Sequence, residues 1–346
     1  MSGLREMSES VVPEAAIPDV AEGEVAGGGL RALEPVSVPG CALSVEAVAP
    51  ERDGLPPAVF VHGLGGSTQN WSLLMDRLAG DVDGHAVDLP GFGQSPPPDD
   101  ADLSVSAHMR AVVDYLELSG RGPVHLFGNS LGGAVATRLA ALRPDLVRSL
   151  TLISPALPEL PPQPTALPTG LLAMPGVPAV FGKLTKGQPV EQQTEALLDL
   201  CYGDPGLIDA ERRRQMVAEY QRRMALPYSM DVLARTARGI VRAYTERGPQ
   251  ALWRQAEQVT APVLLVYGLR DKLVSYRMAR RAGLAFRDSR LLVLPEAGHV
   301  AMMEYPDLVA GQFRELLAET AGAAGASAAP AAPATAATAS AAAARG

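Results

Sequence analysis

The stretch Gly128-Asn129-Ser130-Leu131-Gly132 constrains this chain more than any other, because of what stands on either side of it. A short apolar run, Pro123 to Phe127, leads straight into it, and a helical pattern, Leu131 to Leu142, leads straight out and stops at Pro144. On its own a G-x-S-x-G is unremarkable in a chain with 34 glycines. Between a strand and a helix it is a tight turn, and the turn matches a chemical need. A serine hydroxyl is a poor nucleophile at neutral pH and must be held where a base can take its proton and a carbonyl can reach it. A strand-to-helix elbow strains the Ser130 backbone and exposes its Oγ, while Gly128 and Gly132 relieve crowding against the strand and the helix. The helix that opens there also aims free N–H groups and the positive end of its dipole at a developing oxyanion. The plainer alternative is a surface serine in a glycine-rich turn.

Short apolar runs alternate with helical patterns on both sides of this elbow, as in a mostly parallel α/β sheet with crossover helices. The strands expected are Ala42 to Val48, Pro57 to Val61, His85 to Asp88, Pro123 to Phe127, Ser149 to Ser154, Pro262 to Val266 and Arg290 to Leu294. Helices fit Thr68 to Leu78, Val105 to Leu118, Tyr276 to Ala285 and a closing segment from about Asp307 to Glu319. From 156 to 255 the rhythm changes to helical segments with no strand between them, near Val190 to Cys201, Ile208 to Met224 and Met230 to Tyr244. This insertion reads as a cap above the carboxyl ends of the strands, where open α/β sheets bind ligands. The core is then 35–155 with 256–320. In the second cap helix Met216, Tyr220 and Met224 share one face, read as core packing rather than substrate contact, and Arg212, Arg213, Arg214, Arg222 and Arg223 keep the rest solvated.

Residues 1–34 carry seven acidic side chains against Arg5 and Arg31, hence −5 of the net charge of −8. The body is therefore near neutral, which speaks against a basic nucleic-acid groove. This acidic segment and residues 321–346, with 16 alanines, Pro330 and Pro333, are expected to be disordered. No basic start and apolar run of a secretory signal opens the chain, so a cytoplasmic location is expected. Two cysteines, Cys41 and Cys201, exclude a disulfide scaffold and, with dispersed histidines, offer no metal-ligand spacing. Leu160 to Gly182 is uncharged and as long as a membrane span, but its six prolines forbid a continuous helix. It reads as a mobile apolar loop over a pocket, with peripheral lipid contact as the alternative.

The base is sought among five histidines. His85 and His125 fall inside strands, His108 on a helix, and His62 before the nucleophile strand, which leaves His299 in Glu296-Ala297-Gly298-His299 just past the last strand. Tyr267-Gly268-Leu269-Arg270-Asp271 supplies an acid, Asp271, at the preceding strand end, giving the chain order Ser130, Asp271, His299. Glu159, Glu296 and Glu304 are the alternative acids. The loop His62-Gly63-Leu64-Gly65-Gly66 brings backbone close to a ligand, so the N–H groups of Leu64 and Leu131 are assigned as the oxyanion hole, with His62 bracing the loop. Phosphate binding is the alternative for that loop, against which stands the lack of a G-x-x-x-x-G-K-[ST].

With these motifs and Asp88-Leu89-Pro90-Gly91-Phe92-Gly93-Gln94-Ser95, a turn held by Asp88, the chain resembles, over about residues 35–320, the capped α/β-hydrolases of the large bacterial group of esterases, lipase-like enzymes, carbon–carbon hydrolases and cofactor-free haloperoxidases. The resemblance implies a mostly parallel eight-stranded sheet flanked by helices, a helical cap, no cofactor and acyl chemistry on a small-molecule apolar ester. Serine at the elbow disfavours the related dehalogenases and epoxide hydrolases, which use an aspartate there. Val300 disfavours the carbon–carbon hydrolases, which tend to carry tryptophan after the histidine. Esters or thioesters lead, with carbon–carbon cleavage, other acyl transfer and non-catalytic ligand binding behind them. Trp71, Met174 and Phe181 are candidate pocket residues, with core packing the alternative for each.

Overall fold

The computed structural model describes residues 8–11, 31–178, 180, 183 and 187–327. Its strands are β1 (Ser8–Val11), β2 (Arg31–Ala32), β3 (Val36–Val38), β4 (Cys41–Leu43), β5 (Val45–Ala47), β6 (Pro57–Val61), β7 (Asp83–Val87), β8 (Val124–Asn129), β9 (Val147–Ile153), β10 (Val263–Gly268) and β11 (Ser289–Leu294). Nine of them form one sheet in the order β1-β11-β10-β9-β8-β6-β7-β5-β2, while β3 and β4 make a separate hairpin. Pairing is parallel from β1 to β7 along that order and antiparallel at β7/β5 and β5/β2. The mostly parallel α/β sheet is as expected, with nine strands rather than eight.

Two of these strands, β1 and β2, depart from the expectation for residues 1–34. Ser8–Val11 pairs with Arg290–Val293 and Arg31–Ala32 with Glu46–Ala47, so pieces of the acidic segment satisfy the open edges of the sheet. The extended run Ala42 to Val48 is likewise split at Ser44. There the N–H donates to Ser95 Oγ at 2.8 Å and the carbonyl accepts from Asp88 N at 2.9 Å, which diverts the chain from the hairpin into the main sheet.

The helices are α1 (Ser72–Leu78), α2 (Val105–Ser119), α3 (Leu131–Leu142), α4 (Leu167–Leu171), α5 (Val190–Cys201), α6 (Ala210–Ala225), α7 (Ser229–Thr245), α8 (Leu252–Gln258), α9 (Arg277–Ala285), α10 (Ala301–Glu304) and α11 (Pro306–Ser327). Local chemistry sets their ends. Ser104 accepts from Ala107 N at 3.1 Å to cap α2, and Gly120, at φ +64°, ends it. Asp209 accepts from Arg212 N at 2.7 Å, so α6 starts at Ala210 rather than Ile208. Alanine-rich sequence carries α11 on to Ser327, into the stretch expected to be disordered, and 328–346 lie outside the described residues.

Both faces of the sheet are covered. One apolar cluster joins α2, α3, α8 and α9 to it, and the other joins α1 and α11, with β8 and β10 buried along their whole length. The helical insertion lies between β9 and β10, but its expected end at 255 falls inside α8, whose Leu252 and Ala256 are fully buried in the first cluster. The core therefore resumes at Leu252. Arg138 of α3 seals this return, donating to Ser106 Oγ at 2.7 Å, Gln255 Oε1 at 3.0 Å, the Gln250 carbonyl at 2.9 Å and the Glu246 carboxylate. No helix among the described residues is long and apolar enough to cross a membrane.

Candidate active site

The register of the sheet brings the strand ends together. Val61 lies beside Gly128, Asn129 beside Ile153, and Gly268 beside Leu294, so the loops that follow all emerge at one edge. Ser130 stands there between β8 and α3 at φ +52°, ψ −115°, a conformation that costs a non-glycine residue of order 1–3 kcal/mol and persists only when its surroundings enforce it. They do: Ser130 N donates to Ile153 O at 3.1 Å, and Ser130 O accepts from Ala156 N at 2.8 Å and Ala134 N at 3.2 Å. The flanking glycines are obligatory by packing. A Cβ on Gly128 would lie 2.4 Å from the Gly132 carbonyl oxygen, and one on Gly132 would lie 2.0 Å from that of Val61.

Asp271 and His299 meet at this edge. His299 Nδ1 is 2.9 Å from Asp271 Oδ2, and the two side chains are 5% and 0% exposed. Oδ1 of Asp271 accepts from Leu273 N at 2.7 Å and Val274 N at 2.9 Å. Burial acts to raise the Asp271 pKa, but the His299 ring, its hydrogen bond and the Val274 N–H outweigh it and hold the carboxyl below its ordinary value. An ionised carboxylate only accepts, so Nδ1 carries the proton and Nε2 is left as the basic nitrogen.

The other carboxylates near His299 are engaged elsewhere. Glu159 accepts from Ser275 N at 3.2 Å, Glu296 pairs with Arg270, and Glu304 accepts from Gly298 N and Gly203 N, both at 2.8 Å.

The loop carrying Leu64 lies against the elbow, since a Cβ on Gly63 would stand 3.1 Å from Ser130 Cβ. Leu131 is the first residue of α3, where helix geometry leaves the N–H without an intrahelical acceptor. His62 braces the loop: Nε2 accepts from Leu89 N at 2.9 Å, so Nδ1 donates to the Gly63 carbonyl at 2.7 Å, and burial lowers its pKa to about 4. Asp88 holds its turn by accepting from Thr68 N at 2.8 Å and Gln94 N at 2.7 Å.

The pocket candidates fare differently. Trp71 is 0% exposed and packs on Phe60 and Phe127 at ring separations of 5.4 and 6.3 Å, within the apolar cluster it shares with α1 and α11, which fits the core alternative. Met174 is 53% exposed, and Phe181 lies outside the described residues. The proline-rich segment is tied to the Asp271 loop, with Gln163 Nε2 donating to the Asp271 carbonyl at 3.1 Å and Thr165 Oγ1 to that of Lys272.

Three contributions were not foreseen from the sequence. Asn129 Nδ2 donates to Ile153 O and His299 O, both at 3.0 Å, tying the elbow to the histidine loop. His299 N donates to the Cys201 carbonyl at 2.7 Å, so the end of cap helix α5 supports the same loop. Arg223 of α6, expected in solvent, turns inward and donates to the Gly65 carbonyl. Asn129 occupies a variable position of the motif, and the other two join segments far apart in the chain, so local pattern carries no sign of them.

Residues 56–306 match the family of alpha/beta hydrolase fold proteins. The chain is 30% identical over 272 residues to the dihydrolipoyllysine-residue acetyltransferase component of an acetoin cleaving system from Pseudomonas putida, covering 77% of this chain but only 64% of that protein's length. It is 27% identical over 282 residues to a pimeloyl-[acyl-carrier protein] methyl ester esterase of Neisseria meningitidis, covering 77% of this chain and 97% of the relative. Among solved structures, a putative lipase from Acinetobacter baumannii superposes with a TM-score of 0.70 at 21% identity, covering 86% of this chain and 93% of that one. With the sheet, the elbow and this match over most of its length, the chain belongs to the α/β-hydrolase fold family.

Proposed function

We propose that this hydrolase cleaves a carboxylic ester, or a thioester, of a small or medium substrate with an apolar body, through Ser130, His299 and Asp271. The observation that carries the reading is the buried Asp271–His299 hydrogen bond of 2.9 Å at the sheet edge where Ser130 is held strained. Ser130 Oγ gives its proton to His299 Nε2 and attacks the carbonyl carbon. The Leu64 and Leu131 N–H groups take the oxyanion charge, and Asp271 stabilises the imidazolium. His299 returns the proton to the leaving alcohol or thiol; water, deprotonated by the same nitrogen, then releases the acid and restores Ser130. The similarity to a methyl ester esterase supports ester chemistry.

The test is a panel of p-nitrophenyl esters, acetate through palmitate, with the wild type and Ser130→Ala, and fluorophosphonate labelling of both. Turnover and labelling that vanish in Ser130→Ala are expected, and the chain-length optimum sizes the pocket. Labelling without turnover of any ester would move the reading to carbon–carbon or specialised acyl substrates. Absence of labelling would leave ligand binding without catalysis.

A further inference from the structure

The last turn of α6 carries two adjacent arginines with opposite fates. Arg222 pairs with Glu219 at 2.6 Å and donates to the Gly93 carbonyl at 3.0 Å, and Arg213 and Arg214 earlier on the helix pair with Glu195 and Glu211. Arg223 has no carboxylate at ion-pair distance among the described residues. Its guanidinium lies 5.1 Å from the centre of the Tyr220 ring and donates through Nη1 to the carbonyl of Gly65, the residue after Leu64. A Cβ on Gly65 would lie 3.3 Å from Arg223 Nη1 and 3.4 Å from Leu233 Cδ1, so these two side chains roof the loop assigned to the oxyanion. The Cys201 thiol in the same neighbourhood is pushed up to about 12 by burial, stays neutral, and supplies no counter-charge.

Arg138 provides the standard for a satisfied arginine in this protein, since Nε, Nη1 and Nη2 all donate to protein acceptors. Arg223 uses Nη1 alone. Its Nε and Nη2 have no acceptor among the described residues, and neither is among the atoms sealed from solvent without a partner. Arg223 is half-buried, so its guanidinium has given up part of its water without gaining an anion, while its free donors remain open to a ligand. The open Nε–Nη2 edge is the planar fork that matches a carboxylate with two parallel hydrogen bonds. One unpaired positive charge also balances one carboxylate, whereas a phosphate dianion would leave charge over.

We propose that Arg223 is a binding subsite for a free carboxylate on the substrate, so that the ester cleaved at Ser130 is one whose apolar body carries a second, ionised acid group. This rests on the ester-hydrolase reading and names its substrate class.

The test compares mono-p-nitrophenyl adipate with p-nitrophenyl hexanoate, equal in chain length and differing in a terminal carboxylate against a methyl. The quantity read is the ratio of their kcat/KM values, in which general damage to the site cancels. Wild type is expected to favour the adipate half-ester by about tenfold or more. Arg223→Gln should bring the ratio close to one, chiefly by raising KM for the half-ester, and Arg223→Lys, which keeps the charge but loses the fork, should fall between. A wild-type ratio at or below one, or a ratio unchanged in Arg223→Gln, overturns the proposal. So does a higher preference for an equal-length ester ending in phosphate.

Calorimetric titration of Ser130→Ala with monomethyl adipate reads the subsite without turnover. Binding lost in Ser130→Ala/Arg223→Gln supports the proposal, and binding unchanged refutes it. Fluorophosphonate labelling of wild type judges the serine reading separately, so the two failures are distinguishable.

Discussion

At the Ser130 elbow the backbone itself leaves no room, whereas much of the cap holds its side chains through exposed pairs. A Cβ on Gly132 would stand 2.0 Å from a carbonyl oxygen, while one on Gly170 of α4 would meet nothing within 4 Å. Main chains crowd the cap where it touches the core. Gly203 would clash with the Glu296 carbonyl at 2.0 Å and Gly239 with that of Leu103 at 2.7 Å. The serine proposed for acyl transfer thus sits where main chains touch and substitution is barred. Arg223, the proposed carboxylate subsite, sits on a cap helix, away from the main-chain contacts of the elbow.

The sharpest way to exploit this contrast is to remove function without touching the packing. Ser130→Ala should lower kcat by about 10⁴-fold or more with its melting temperature retained, because the strained turn is held by backbone hydrogen bonds. Residual turnover within tenfold of wild type would remove Ser130 from the mechanism. Asp271→Asn should cost about 10⁴-fold in kcat, since an amide donating to Nδ1 reverses the tautomer that leaves Nε2 basic. A loss under tenfold would transfer the orienting role to another acid.

Gly132→Ala should destabilise by ~3 kcal/mol or more, measured by urea unfolding or seen as failure to fold, and Gly170→Ala should change stability by less than about 1 kcal/mol. Equal effects at the two sites would erase the distinction between elbow and cap.

The smallest effect probes the seam between cap and core. Glu304 accepts from Gly203 N on the cap side and Gly298 N on the histidine loop, and burial outweighs these bonds to raise its pKa from 4.5 to about 7. Between pH 4.5 and about 7 the folded state therefore holds a proton that the unfolded state has released, so stability falls as pH rises through that window. Asp88, also raised to about 7 by burial, adds a slope of the same sign. The melting temperature of Glu304→Gln should decline less than that of wild type between about pH 5 and pH 8. An unaltered slope would place the titration elsewhere.

The strand Pro57–Val61, the strand expected from Arg290 to Leu294, the helix Leu131–Leu142 and the three longer helices after Val190 were legible in the chain, because period and apolar runs are local signals, whereas α4 falls in the stretch read as a loop. Glu159, Glu296 and Glu304 stand as alternative acids in sequence, and the structure gives each of them another partner. For Trp71 the sequence left pocket and core packing both open, for a physical reason. Its place on a helix predicted to follow the oxyanion loop says nothing of which way the ring points, and the ring points into Phe60 and Phe127. The N-terminal strand was missed because edge pairing of four residues leaves no periodicity to detect.

The sequence by itself marked the elbow, most of the strands and helices, the strand-free stretch read as an insertion and the candidate trio of serine, acid and histidine, since each depends on residue type and near neighbours along the chain. Only the tertiary structure decided that Asp271 reaches His299, that Asn129 ties the elbow to the histidine loop across 170 positions, and that Arg223 turns from solvent to the Gly65 carbonyl across 158. Those are contacts between segments brought together by the sheet register, and no local pattern encodes which distant backbone a side chain will meet.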